Sequence, residues 1–135
     1  MRTPYSPLRI GILAALAAGL ALLTACAPLG SLNLKFTPTS AAAAATGSIH
    51  ITSDDRGNSI VQLQATNLPA LTPPATVYMV WEQEADAIEP EGTLKDGKLK
   101  FKVQGRDFLL FITPEASSSV TEPTGPTLLK QLVSW

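Results

Sequence analysis

Three observations predict an all-β fold, an antiparallel β-sandwich of about seven short strands behind an N-terminal hydrophobic segment. Apolar and polar residues alternate with period two through most of the chain after residue 47. Turn-forming residues separate the alternating runs. No window beyond the N-terminal segment shows a convincing amphipathic helix.

The first 25 residues have a different character. Arg2 and Arg9 stand at the start, no acid occurs, and Ile10 to Leu23 is almost wholly apolar. Small residues then lead to Cys26, and these are the parts of a secretory signal. Leu23-Thr24-Ala25-Cys26 also resembles the bacterial lipobox, in which the cysteine becomes the lipidated first residue of the mature chain. Several acyl chains, at about 0.8 kcal/mol per buried methylene, anchor a protein where a single chain does not. The expectation is a lipoprotein signal peptide over 1–25 and lipidation at Cys26. The lipid would hold the chain on the membrane of a bacterial cell envelope, and the basic start places the domain outside the cytoplasm. Ala27 follows where an aspartate would resemble an inner-membrane retention signal, which favours the outer membrane. Leu8 to Ala25 also has about the minimum length of a membrane-spanning helix, so a single-pass protein with the same exported domain is the alternative.

Residues 26–47 are rich in Ala, Ser, Thr and Pro and read as a flexible linker, with the exported domain at 48–135. Within the linker, the alternation Leu32, Leu34, Phe36 would suit an added edge strand instead. The first hairpin of the domain has Ile49 and Ile51 on one arm, a turn at 54–58, and Val61, Leu63 and Ala65 on the other. Pairing Ser53 with Ser59 sets Ile51 opposite Val61 and Ile49 opposite Leu63, so that both apolar sets share one face. A strand over Thr76 to Glu82 follows. A second hairpin is expected at Asp96-Gly97, a two-residue turn whose central positions need positive φ. It would pair Leu94 with Leu99 and turn Leu99, Phe101 and Val103 inward, with Lys98, Lys100 and Lys102 outward. Phe108 to Thr113 and residues 127–133 complete a sandwich of immunoglobulin-like type.

The chain has a formal charge of −1, and the part after residue 25 has eight basic against eleven acidic residues. That balance argues against nucleic acid as a partner, because phosphate neutralisation needs a basic excess. A single cysteine excludes an intrachain disulfide and the cysteine-pair zinc signatures. His50 is the one histidine, and Ser53, Ser59 and the serines at 117–119 are the nucleophiles it would have to activate. No Gly-x-Ser-x-Gly elbow is present, and the hairpin register turns His50 outward, opposite Gln62. Glu82, Glu84, Asp86, Glu89 and Glu91 lack the spacing of a calcium loop and read as a solvated acidic loop. No catalytic residue, metal site or cofactor is therefore expected. Tyr78 and Trp81, three apart on a strand, fall on opposite faces. With Lys98, Lys100 and Lys102 they are the candidate interaction surface.

Three stretches together resemble the extracytoplasmic C-terminal domain of anti-sigma-K factors. They are the Leu68-Pro69 turn leading to Tyr78 and Trp81, the Glu91-Gly92-Thr93-Leu94 stretch, and the segment 108–129 with its Pro123-Thr124-Gly125-Pro126 ending. The resemblance covers roughly residues 48–133. It departs at Ser117 to Ser119, where the family has a glycine pair, and at Ala75-Thr76, where it has a glycine before the strand. Only nine residues precede the apolar segment, so the resemblance implies the β-sandwich and not sigma-factor inhibition by this chain. The function it implies is a non-catalytic interaction or sensor domain, regulatory in envelope signalling, with an envelope protein as partner. A structural envelope lipoprotein is the alternative.

Overall fold

Residues 30–135 are described by a computed structural model of the chain. The expected signal peptide over 1–25 and the expected lipidation at Cys26 lie outside these residues. No helix among the described residues is long and apolar enough to cross a membrane.

Among the described residues nine strands form two antiparallel sheets packed face to face. They are β1 (Ser31–Lys35), β2 (Thr37–Pro38), β3 (Thr46–Ser53), β4 (Ser59–Thr66) and β5 (Val77–Glu84), then β6 (Ala87–Thr93), β7 (Lys98–Val103), β8 (Asp107–Glu115) and β9 (Leu129–Ser134). The four-stranded sheet has the order β1-β3-β4-β7 and the five-stranded sheet the order β2-β9-β8-β5-β6. The β3–β4 hairpin has the register that alternation requires, with Ser53 opposite Ser59, Ile51 opposite Val61 and Ile49 opposite Leu63. Those residues meet Val80, Phe108, Leu110, Ile112, Leu129 and Val133 of the other sheet in the main core. Each inner face is thus one parity of its strands, as sandwich packing demands.

Residues 31–47 do not form a linker. Leu32 and Leu34 sit opposite Ile51 and Ile49, which makes β1 an edge strand of the four-stranded sheet. The chain then crosses to the other sheet through β2, and the Thr39 N–H bonds to the Leu128 carbonyl at 3.0 Å. Phe36, Ala42 and Ala45 are all buried. Burial of a phenylalanine side chain is worth about 1.5–3 kcal/mol. A Cβ at Gly47 would lie 2.7 Å from the Phe36 ring, so the glycine makes room for it. Apolar residues at alternate positions outweigh the linker-like composition around them.

The Asp96-Gly97 turn forms with positive φ at both residues (52° and 75°), and Lys95 and Lys98 exchange two hydrogen bonds of 3.0 Å. The hairpin stops there. β6 stays with β5 in one sheet while β7 joins β4 in the other, so the turn carries the chain between sheets. Gly97 is packed against β4: its carbonyl accepts the Ala65 N–H at 2.8 Å, and a Cβ at this position would collide with the Ala65 carbonyl. Leu99 and Phe101 still face the core, half-buried, and Val103 is buried. Lys98, Lys100 and Lys102 face out.

The acidic run is not a loop. It folds as the hairpin of β5 and β6, turning at Ala85 with φ of 50°. β6 is the edge strand of its sheet, which is where a strand tolerates Pro90.

Candidate functional site

The outer face of the four-stranded sheet is built from the residues that alternate with the core. One row crosses all four strands as Asn33, His50, Gln62 and Lys100. The next consists of Lys35, Ser48, Gln64 and Lys98. Neighbouring strands are about 4.8 Å apart and alternate residues about 6.8 Å apart. The two rows therefore present a polar lattice roughly 14 Å wide. They line a groove of about 810 Å³, with Lys95 at one side.

The groove is basic. No carboxylate is among its lining residues. The one ion pair among the described residues lies outside it, where Lys102 meets Asp54 at 3.2 Å. The Asn58 side-chain amide and backbone N–H, together with the Arg56 N–H, hold the Asp54 carboxyl well below the usual carboxylate range. Among the described residues Lys35, Lys98 and Lys100 have no such partner. Inside the groove His50 Nδ1 donates to Asn33 Oδ1 at 2.7 Å, since the amide oxygen can only accept. His50 Nε2 makes no hydrogen bond among the described residues and is available to a ligand.

The outer face of the five-stranded sheet is built in the opposite way. Met79, Trp81 and Phe111 form a second buried cluster there, and Val120 from the segment 116–128 packs on it. The Trp81 and Phe111 rings stack with centroids 6.4 Å apart. Trp81 Nε1 donates to Thr113 Oγ1 at 2.8 Å, and that hydroxyl donates to the Glu115 carboxylate at 2.5 Å. Glu115 also accepts from the Thr124 hydroxyl (2.5 Å), the Thr124 N–H (3.0 Å) and the Gly125 N–H (3.1 Å). Burial pushes the Glu115 carboxyl up, but the donors from Thr113, Thr124 and Gly125 outweigh it and its pKa lies below the ordinary value. A Cβ at Gly125 would collide with the Pro114 carbonyl, so only glycine allows the segment to close so tightly. This arrangement ties a long loop onto the sheet.

A third feature lies between the β6 and β7 edges. Glu82, Glu89 and Glu91 bring carboxylate oxygens within 4.8 Å of one another, in a hollow of about 430 Å³. Burial, then repulsion from Glu84, Glu91 and Glu89, pushes Glu82 up to about 7. Burial and Glu89 push Glu91 up to about 7. The expectation of an unperturbed, solvated loop is corrected here, because the hairpin turns Glu82 inward. A carboxylate binds calcium through one oxygen or two, and the proximity of these three adds to burial in raising the pKa of Glu82 and Glu91.

The five residues expected to form one interaction surface are dispersed. Trp81 is fully buried. Tyr78 is half-buried against the main core and donates its hydroxyl to the Pro69 carbonyl. Lys98 and Lys100 line the groove, and Lys102 is engaged by Asp54. His50 does face outward opposite Gln62, but its partner is Asn33 on the strand read as linker. None of the candidate serines is hydrogen-bonded to it. Ser59 is buried and donates to the Gly105 carbonyl at 2.7 Å, while the Ser117 and Ser119 hydroxyls bond one another at 2.9 Å. Asn33 and Lys35 were missed as groove residues, although their alternation with Leu32, Leu34 and Phe36 was the available signal. No protein-family model, curated protein or solved structure matches this chain.

Proposed function

We propose that this chain is a lipid-anchored, extracytoplasmic, non-catalytic interaction or sensor domain. It is held on the bacterial envelope membrane through Cys26 and passes what it senses to an envelope protein. The observation that carries the reading is the basic groove, where unpaired lysines and hydrogen-bonding side chains stand together on one exposed sheet face. A rigid sheet presenting such groups is organised for recognition, and nothing around His50 pairs it with a nucleophile.

The resemblance to anti-sigma-K extracytoplasmic domains is consistent with this role. Trp81, Thr113, Glu115, Thr124 and Gly125, drawn from two of the three stretches that carry the resemblance, share one hydrogen-bond network. Membrane confinement would raise the effective concentration of a weakly bound partner.

Crosslinking in intact cells should capture a specific envelope protein, and removal of residues 30–135 should abolish the capture. Turnover of an envelope substrate by the chain, lost in His50→Ala, would overturn the reading. Intact-mass analysis of membrane-extracted protein should show loss of residues 1–25 and added acyl mass on Cys26. Retention of Met1 would instead identify a single-pass protein.

A further inference from the structure

We infer that the groove on the four-stranded sheet is a binding site for an acidic polysaccharide, with carboxylates on Lys35, Lys98 and Lys100 and hydroxyls on Asn33, His50 and Gln62. The assignment rests on the binding function proposed above and names the class of ligand sensed.

Charge is the first argument. Four lysines without acid partners among the described residues, Lys35, Lys95, Lys98 and Lys100, line a groove with no carboxylate in its lining. An occupant must therefore carry negative charge, and more than one such charge to engage lysines on β1 and β7, the two outer strands of the sheet. Those strands lie about 14 Å apart, so the occupant is extended.

The second argument is the character of the groups between the lysines. Gln62, Gln64 and Asn33 each offer an amide donor and acceptor side by side, and Ser48 offers a hydroxyl. Lysine only donates, so charge alone would be served by lysines alone. Groups that both donate and accept match hydroxyls, which do the same. An occupant with carboxylates at intervals and hydroxyls between them is a chain of acidic sugars.

Other occupants fit less well. The cores of protein interfaces are rich in aromatic residues, Met and Arg and poor in Lys, whereas neither outward row holds an aromatic residue or an arginine. Single-stranded nucleic acid needs aromatic platforms for its bases, which these rows lack. A bilayer presents headgroup charge without the extended chain of hydroxyls that the exposed amides of Asn33, Gln62 and Gln64 would meet. A neutral glycan would lose the lysine contacts altogether.

Isothermal titration of the full-length chain in phosphatidylcholine nanodiscs, at low salt, tests the assignment with four probes. These are a panel of oligouronates, poly-glutamate, dextran fragments, and vesicles containing phosphatidylglycerol. At least one oligouronate should bind, and the other three probes should bind at least tenfold more weakly. Lys100→Gln and Gln62→Ala should each weaken oligouronate binding about three- to tenfold, the range of one lost hydrogen bond. Arg56→Gln, in the turn outside the groove, should leave it unchanged. Failure of every oligouronate to bind overturns the assignment, as does equal binding of poly-glutamate or the vesicles. An unchanged affinity in Gln62→Ala overturns it too, because the amides would then have no part. In-cell capture of an envelope protein reads the broader function separately. Capture retained without oligouronate binding removes only the ligand class, whereas oligouronate binding without capture removes the protein relay.

Discussion

Under the segment 116–128, the five-stranded sheet buries Met79, Trp81 and Phe111 on its outer face, and Glu115 holds that segment through Thr124 and Gly125. No described residue covers the outer face of the four-stranded sheet in this way, and its rows carry Asn33, His50, Gln62 and Lys100 in place of aromatics. Among the described residues the same architecture thus uses one face for its own stability and leaves the other open. Apolar side chains on a sheet surface need something over them, and a loop of this chain supplies it. Polar side chains need no cover, and substitutions there can change recognition without changing the fold.

Two carboxylates repeat the contrast at the level of single groups. Glu115 and Glu82 are both buried. Glu115 is surrounded by donors, which favour its charged form, whereas Glu82 faces other carboxylates, which oppose it. Burial by itself therefore fixes neither the sign of a pKa shift nor its consequence for stability.

The largest expected effect is on the covered face. Glu115→Ala strands the hydroxyls and N–H groups that the carboxylate accepts, and should cost about 3 kcal/mol or more in urea denaturation at pH 7. The folded pKa of Glu115 is lowered, so its contribution is present above the unfolded value near 4.5 and is lost as pH falls through the folded value. The gap between wild type and Glu115→Ala should accordingly narrow in acid. A variant no less stable than wild type would show that the loop is not held by this network.

Next comes a test of facing within β7. Leu99→Asp places a charge against the core and should cost about 2 kcal/mol. Lys100→Asp, on the bare face, should change stability by about 0.5 kcal/mol or less. Equal losses in chemical denaturation would break the distinction between the two sides of this sheet.

A third effect has the opposite sign. The folded pKa of Glu82 is raised to about 7, so the folded state holds a proton that the unfolded state releases near 4.5. Stability therefore falls as pH rises from about 4.5 to 7. Glu82→Gln should be more stable than wild type at pH 8, by about 1 kcal/mol after solvent screening, and nearly equal to it at pH 4. Thermal melts across that range would measure it, and a destabilised variant at pH 8 would mean that Glu82 has a favourable partner.

Much of this fold is determined by local sequence. Alternation in Ile49-Ile51 and Val61-Leu63 sets which side chains go in, and the intervening turn sets their register, because a slip of one residue would expose every apolar group. Asp96-Gly97 likewise specifies its own positive φ values. Sheet membership is another matter. β6 and β7 flank a tight turn yet enter different sheets, since β6 stays with β5, its hairpin partner, while β7 is claimed by β4, a strand distant in sequence. Composition misleads at β1, where Leu32, Leu34 and Phe36 gain their value only once Ile49, Ile51 and the opposing sheet are present. The groove has the same origin. Alternation turns Asn33, His50, Gln62 and Lys100 outward, but only the pairing of four strands brings them into one row. A side chain's facing is a property of its own strand, whereas a site is a property of the strands that become its neighbours.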